Sequence, residues 1–447
     1  MPSRRVVNAR LWPAGRVHTY TAAFVAPPAR MQATPVQWVA AALFVAALVH
    51  TFATKAIERF GHRHPRHAGT FHLLGEVEVV FGFWAGVLIV AMALLAGGSE
   101  AIAYAESRQY VEPLFVFVVM VVAASKPVLA AVGATVDALA RWLPLPQALS
   151  RVWLGLAAVP LLGSLITEPA AMTLAALMLR EPVFRSGLPE RTKYAALGVL
   201  FVNVSIGGML TSYAAPPVLM VADTWQWDSA FMLRHFGWKA AIAVLVNATA
   251  ATWLLRRHIG GLVDHDTRDG SVPRWVAVVH LAFLASVVVF AHHPVIFLGL
   301  FLFFLGFTQA YERHQAPLIL KEGLLVGFFL AGLVVLGGMQ EWWLQPIVSG
   351  LSPGVLFFGS MGLTAVTDNA ALTYLGSLIE GIRPDAQYML VAGAVAGGGL
   401  TVIANAPNPA GIALLRRGFD DESVGAGGLL AGALLPTAVA ALAFLVL

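Results

Sequence analysis

Two matching stretches of the chain carry an acidic residue inside an otherwise apolar region. Residues 164–175 read Ser-Leu-Ile-Thr-Glu-Pro-Ala-Ala-Met-Thr-Leu-Ala, and residues 364–375 read Thr-Ala-Val-Thr-Asp-Asn-Ala-Ala-Leu-Thr-Tyr-Leu. Aligned by their shared letters, they pair Glu168 with Asp368. A carboxylate in a medium of low dielectric constant favours its protonated form unless a cation lies beside it. The pattern therefore predicts a site at which protons and a small cation replace each other.

A second matched pair of stretches follows the acids. Gly207-Gly208-Met209-Leu210-Thr211 precedes Pro216-Pro217, and Gly397-Gly398-Gly399-Leu400-Thr401 precedes Pro407-Asn408-Pro409. Proline removes a backbone donor and restricts the residue before it, so each stretch predicts a break in a helix. The carbonyl groups freed at such a break can coordinate an ion.

Neutral oxygen atoms near the acids are the ligands that a small, hard cation prefers. We expect Glu168 and Asp368 to bind Na⁺, as transported cargo, together with oxygen atoms of Thr167, Thr173, Thr211, Thr367, Asn369, Thr373, Thr401 and Asn405. The alternative interpretation is structural: the acids cap hairpin turns, and the threonines and asparagines hydrogen-bond one helix to another. Lys126 is either a mobile counter-charge for the site or a side chain that extends to the membrane surface.

Composition indicates an all-α polytopic membrane protein. The 447 residues are 58% hydrophobic and 12% charged, with a mean hydropathy of +0.76, and many apolar runs exceed the roughly 20 residues that cross a bilayer. The chain has no cysteine, which excludes disulfides and thiolate metal sites. We expect a multi-pass protein of the cell inner membrane, with no resident cofactor and no nucleic-acid partner.

The placement of lysine and arginine predicts the topology, because cytoplasmic loops are enriched in these residues. The prediction is about ten transmembrane helices, near 36–55, 76–97, 113–136, 194–220, 236–255, 275–291, 295–311, 322–340, 386–411 and 425–447. The stretch 152–179 is bounded by basic residues at both ends, Arg151 and Arg180 among them. It therefore cannot cross once, and we predict re-entrant hairpins at 152–179 and 347–380.

These spans divide the chain into five parts. A basic extension at 1–35 is either an over-long start, with Met31 as the true first residue, or a basic surface arm. The first span and its basic cytoplasmic loop occupy 36–75, and a linker and connecting span occupy 256–294. Residues 76–255 and 295–447 form two repeats. Because their equivalent spans run in opposite directions, we predict inverted repeats, each with one hairpin.

The hairpin and break motifs resemble those of the ion transporter superfamily and, within it, the putative sodium/proton antiporter family. Thr367-Asp368-Asn369 is similar to the Asp-Asn hairpin motif of the antiporters, and residues 404–409 resemble the Pro-Pro-Asn-type break of dicarboxylate-transporting relatives. The resemblance covers roughly 76–447 and implies two inverted repeats, each with a re-entrant hairpin and a discontinuous helix. Those dicarboxylate transporters carry Ser-Asn-Thr at their hairpin tips, whereas the tips here are Thr-Glu-Pro and Thr-Asp-Asn, which argues against an anionic substrate.

The function predicted from these features is exchange of Na⁺, or another monovalent cation such as Li⁺ or K⁺, for H⁺ by alternating access. The alternative is a sodium-coupled symporter of organic anions, of the dicarboxylate type, on the same architecture. An intramembrane enzyme is disfavoured, because the chain has neither His-Glu-x-x-His nor Gly-x-Ser-x-Gly. The sequence leaves open the ion selectivity, the stoichiometry, and whether the protein is a monomer or a homodimer in the lipid bilayer.

Overall fold

The computed structural model describes residues 33–63, 68–184, 187–259 and 272–447. These residues form helices joined by short loops, with no strand in the described ranges. The predicted extension at 1–35 and the middle of the predicted linker lie outside the described residues. The all-α, multi-pass membrane class expected from the composition is confirmed.

The first part of the chain contains thirteen α-helices within the described ranges: α1 (Pro35–Arg63), α2 (Ala68–Leu74), α3 (Val77–Leu95), α4 (Gly98–Glu106), α5 (Val111–Ala123), α6 (Lys126–Ala140), α7 (Gln147–Leu156), α8 (Ala158–Ile166), α9 (Glu168–Leu179), α10 (Glu190–Gly207), α11 (Pro216–Trp225), α12 (Ser229–Met232) and α13 (Trp238–Ile259). The remainder contains α14 (Arg274–Val289), α15 (Pro294–Ala310), α16 (Leu320–Gly337), α17 (Glu341–Val348), α18 (Pro353–Thr364), α19 (Asn369–Ser377), α20 (Pro384–Gly397), α21 (Asn408–Leu415) and α22 (Ala426–Val446).

Within the described ranges, six helices are long and apolar enough to cross a bilayer, or eight if each of two bent helix pairs is one span. The bent pairs are α5 with α6, at 64°, and α7 with α8, at 44°. The predicted spans at 275–291 and 295–311 correspond to the shorter apolar helices α14 and α15. The count of ten spans therefore stays a prediction.

The predicted span at 113–136 is not one straight helix. Helix α5 ends at Ala123 and α6 begins at Lys126, with Pro127 at its second position. Proline cannot donate the backbone hydrogen bond that would continue α5, and it disfavours a helical conformation in the residue before it. The polar residue Lys126 therefore stands at a helix break within the apolar segment.

Both predicted helix breaks occur where glycine and proline require them. Helix α10 ends at Gly207 and α11 begins at Pro216, whereas α20 ends at Gly397 and α21 begins at Asn408. A Cβ atom at Gly207 would collide with the carbonyl of Pro160, and one at Gly397 would collide with that of Met361. Each broken helix thus packs directly on the backbone of the hairpin that precedes it.

Contacts near the helix ends join segments that the charge pattern assigns to the same side of the membrane. Three hydrogen bonds of lysine Nζ atoms illustrate this: Lys193 to the Gly418 carbonyl (2.6 Å), Lys321 to the Glu76 carboxylate (2.8 Å) and Lys239 to the Tyr388 hydroxyl (2.9 Å). The first two lie on the predicted cytoplasmic side and the third on the opposite side. The orientation of these helices in the membrane stays a prediction.

Candidate functional site

The first hairpin reverses at a strained residue. Helix α8 ends at Ile166, and α9 begins two residues later at Glu168, so Thr167 alone makes the turn. Its φ of 78° is uncommon for a residue with a branched side chain, and such conformations cost about 1–3 kcal/mol. The turn places Glu168 in the first turn of α9, directly before Pro169.

The Glu168 carboxylate is fully buried where the first hairpin meets both helix breaks. Its Oε2 accepts a hydrogen bond from Asn405 Nδ2, in the second break, at 2.9 Å. Its Oε1 lies against Gly208, in the first break, where an added Cβ would stand 2.8 Å from it. Glycine at this position therefore leaves the space that the carboxylate occupies.

Three buried oxygen atoms of this site have no hydrogen-bond partner among the described residues: Glu168 Oε1, Thr167 Oγ1 and Asn405 Oδ1. Most buried polar atoms in proteins are hydrogen-bonded, so a group of unpartnered oxygen atoms requires an explanation. A carboxylate, a hydroxyl and an amide oxygen are all ligands for a hard cation. Together they form a candidate cation and proton site.

The second hairpin presents its acid differently. Asp368 caps α19: its Oδ1 accepts hydrogen bonds from the backbone N–H groups of Ala370 (2.8 Å) and Ala371 (3.2 Å). The residue is half-buried rather than fully buried. The next residue, Asn369, is fully buried, and neither polar atom of its side chain has a partner in the described part of the chain.

Equivalent contacts in the two halves show that the sequence alignment of the hairpins is wrong by one residue. The backbone N–H of Glu168 donates to the Ala214 carbonyl (3.5 Å), and that of Asn369 donates to the Ala404 carbonyl (3.1 Å). Thr211 Oγ1 donates to the Ser164 carbonyl (2.6 Å), and Thr401 Oγ1 donates to that of Ala365 (2.9 Å). The structural counterpart of Glu168 is therefore Asn369, and that of Thr167 is Asp368.

Both hairpin tips contain the same number of residues, so the shift is one of residue type. Three residues separate Ser164 from Glu168, and three separate Ala365 from Asn369. Helix α8 continues to Ile166, whereas α18 ends at Thr364. The shared threonines and alanines align the two segments by letter, but the acid of the second segment stands one position earlier, at the helix cap. The pairing of Glu168 with Asp368 that the sequence predicted is thus not a pairing of equivalent positions.

The two hairpin tips meet on neighbouring residues of the second break. The Ala404 carbonyl accepts the hydrogen bond from Asn369, and the side chain of Asn405 donates to Glu168. Asn408 closes the same break, because its Nδ2 donates to the carbonyls of Gly398 and Thr401. Sequence reasoning did not select Asn408 as a site residue, although it lies within the motif already noted.

Four of the threonines expected as ligands hydrogen-bond to backbone carbonyls instead. Thr173 and Thr373 donate within their own helices, to Pro169 (2.9 Å) and Ala370 (3.2 Å). Thr211 and Thr401 tie each break to the first helix of its hairpin, as described above. Thr367 is half-buried beside Asp368. Of the predicted ligands, Asn405 is the one whose side chain contacts the Glu168 carboxylate, and Thr167 directly precedes Glu168 in the chain.

Lys126 is half-buried at the break between α5 and α6. Both helices contact α9, which begins at Glu168. Within the described ranges, however, Lys126 forms no ion pair with either acid. Its two interpretations, as a counter-charge or as a side chain that reaches the membrane surface, both stay open.

A cavity of about 220 Å³ adjoins the first break. Ser212 and Tyr213, from the break itself, line one part of it. Its charged and titratable lining comes from three segments predicted to lie on the periplasmic side: Glu112, Asp223, Asp228 and His292. The described residues contain no group of three or more His, Asp or Glu side chains suited to a resident metal ion.

Apolar helices, two helix breaks and a buried carboxylate between them define a multi-pass membrane protein with an ionisable site in its interior. The chain belongs to the family described as "Putative Na+/H+ antiporter", whose sequence model matches residues 35–447. This match confirms the family resemblance inferred from the hairpin motifs. No curated protein matches the chain.

Proposed function

We propose that the protein is a secondary antiporter that exchanges Na⁺, or a similar monovalent cation, for H⁺ across the inner membrane. The observation that carries this proposal is the Glu168 carboxylate: it is fully buried, one of its oxygen atoms accepts a hydrogen bond from Asn405, and the other has no partner among the described residues. Family membership supports the same pair of ions. The two repeats, each with a hairpin and a broken helix, are proposed to be inverted and to alternate access around this site.

The exchange follows from the cost of burying a charge. Without a bound cation, Glu168 holds a proton, because an isolated ionised carboxylate is unfavourable in a medium of low dielectric constant. A cation that reaches Glu168, Thr167 and Asn405 replaces the proton and neutralises the carboxylate in its place. The site is neutral in both states and can change sides, whereas the empty, ionised site is costly and crosses rarely. Binding of either ion therefore excludes the other.

Asp368 has a different role in this mechanism. Two backbone N–H groups at the start of α19 hold one of its oxygen atoms. We assign Asp368 to capping α19. Glu168 is then the carboxylate that changes partners during each cycle.

The cavity beside the first break, with its acidic side chains, is the proposed access route from the periplasmic side. Its acidic lining attracts cations, and Ser212 and Tyr213 directly precede Ala214, whose carbonyl accepts the hydrogen bond from the Glu168 N–H. Low-dielectric walls concentrate the field of such a lining. Neutralising Glu112 or Asp223 should therefore weaken cation uptake from this side without removing exchange.

Dye dequenching in inverted membrane vesicles tests the proposal, in a host that lacks its own Na⁺/H⁺ exchangers. Addition of NaCl should collapse the imposed pH gradient with the wild-type protein and leave it intact with Glu168→Gln. Glu100→Gln is the matched control, since Glu100 is an exposed acid in α4. Parallel additions of Li⁺ and K⁺ determine the selectivity. If the Glu168→Gln variant exchanged ions at the wild-type rate, the assignment of the site would be contradicted.

The symporter alternative makes a separate prediction. An organic anion requires a fixed cation near the hairpin tips, and Lys126 is the residue that the sequence offered for that role. Sodium-dependent uptake of a labelled dicarboxylate into right-side-out vesicles, abolished by Lys126→Gln, would replace the antiporter proposal. Cation-induced proton movement without such uptake supports the antiporter.

A further inference from the structure

A groove of about 530 Å³ lies between α10, α13 and α22, far along α10 from the break beside Glu168. Its lining is mostly apolar and includes Val199, Val246, Leu254, Leu435 and Val439. Asn247 contributes to the lining, but its Nδ2 already donates to Asn203 (3.0 Å) and to the Pro436 carbonyl (3.2 Å). The groove therefore presents a surface suited to hydrocarbon.

The groove has the length of one membrane leaflet. Along α22 it extends from Gly428 to Val439, which at about 1.5 Å per residue is roughly 16 Å. Half of a bilayer's hydrocarbon core is about 15 Å thick. One acyl chain, entering from the end of the groove near Gly428, would fill this length.

The end of the groove near Gly428 is cationic. Arg191 and Thr192, at the start of α10, line it there. Arg191 is exposed and forms no ion pair in the described part of the chain. Its positive charge thus stands at the membrane-surface end of an apolar groove.

We propose that this groove binds one anionic phospholipid, with an acyl chain along α22 and the phosphate at Arg191. Two features together favour this class of ligand. The apolar lining of the groove suits a hydrocarbon chain, and the positive charge at its mouth suits an anionic head group. Arginine and lysine residues on the cytoplasmic side of membrane proteins bind anionic head groups in this way. A lipid here would hold α13 against α10, the helix whose other end forms the break beside Glu168.

Lipid retention by the purified protein, measured by native mass spectrometry, tests the proposal. With dioleoyl phosphatidylglycerol and dioleoyl phosphatidylcholine in equal amounts, the wild-type protein should retain phosphatidylglycerol preferentially. Arg191→Gln should reduce that preference about fivefold, as expected for one arginine near an anionic head group. Ala250→Phe places a ring in the groove from an exposed lining position and should reduce retention of both lipids.

Two controls separate the groove from general effects. Ala438→Phe changes an exposed alanine on α22 outside the groove lining, and Arg313→Gln removes an exposed arginine on the same predicted side; both should behave as the wild type. Equal retention of the two lipids by the wild type, or an unchanged preference in Arg191→Gln, would overturn the proposal. A third result would also overturn the proposal: the short-chain lipid dihexanoyl phosphatidylglycerol displaces the bound phosphatidylglycerol as effectively as the long-chain lipid does. That result would indicate an anion site without a bound acyl chain.

Discussion

The two hairpin tips contain the same kinds of residue but place them differently. In one tip the acid is the hydrogen-bonded helix cap, and in the other the acid is the buried residue that follows the cap. In the second hairpin, Asp368 receives two backbone hydrogen bonds from α19, and the buried residue beside it is the neutral Asn369. In the first, Thr167 occupies the capping position with a strained backbone, and the buried residue is the acid Glu168. The acid has moved by one position from the cap into the interior.

This shift separates a structural carboxylate from an exchangeable one. A carboxylate at a helix cap has permanent donors and no need of a proton or a metal ion. A carboxylate one position further on has lost those donors and depends on Asn405 and on whatever ion is bound. Two acids in matching motifs therefore do not imply two exchangeable protons.

The largest expected difference between the tips is in transport. Glu168→Gln should reduce exchange to the level of vesicles without the protein, because an amide carries no proton to exchange. Asp368→Asn should retain measurable exchange, since asparagine also caps helices well. Initial rates of dye dequenching, normalised to the amount of protein in the membrane, give the comparison. If the Asp368→Asn variant were inactive and the Glu168→Gln variant active, the roles assigned to the two acids would have to be reversed.

Adding a methyl group at the first break should displace the carboxylate. In Gly208→Ala the new Cβ would stand 2.8 Å from Glu168 Oε1 and 2.9 Å from its Cγ. Overpacking of this kind typically costs about 1–3 kcal/mol, and we expect both a lower melting temperature and slower exchange. Gly133→Ala is the control, because nothing lies within 4 Å of the added atom there. Equal exchange rates in the two variants would mean that the Glu168 pocket is looser than the structure indicates.

Removing the hydrogen bond to Glu168 should weaken cation binding without abolishing transport. Asn405→Ala deletes the Nδ2 donor and the unpartnered Oδ1 together. A hydrogen bond to a charged group contributes about 1.5–3 kcal/mol, so the KM for Na⁺ should rise by roughly tenfold or more. Titration of NaCl in the dequenching assay measures this change. An unaltered KM would remove Asn405 from the site.

The smallest expected effect concerns stability at the second tip. Asp368→Ala deletes the cap of α19 and should cost about 1 kcal/mol of stability, most of which Asp368→Asn should restore. The measurement is the melting temperature of the purified variants in detergent. If alanine and asparagine at this position destabilise the protein equally, the negative charge of Asp368 matters more than its hydrogen bonds.

The sequence predicted the elements of the site better than their register. Glycine and proline at 207–217 and 397–409 correctly indicated where helices break, and the same reasoning, applied to Pro127, could have predicted the break between α5 and α6. The one-residue shift between Glu168 and Asp368 could not be read from the letters, because the shared threonines and alanines pair the two acids and only the contacts across each break reveal the offset. The strained φ of Thr167 has no signal in the residue type either, since threonine rarely adopts it.

The dependence of the KM for Na⁺ on pH tests most directly whether one carboxylate or two exchange protons. If Na⁺ competes with a single proton at Glu168, the KM should rise by about tenfold for each unit of decreasing pH over the range in which the site is protonated. Asp368→Asn should keep that slope. A rise of about a hundredfold per unit in the wild type, falling to tenfold in Asp368→Asn, would show that both acids release protons and would contradict the separation of their roles.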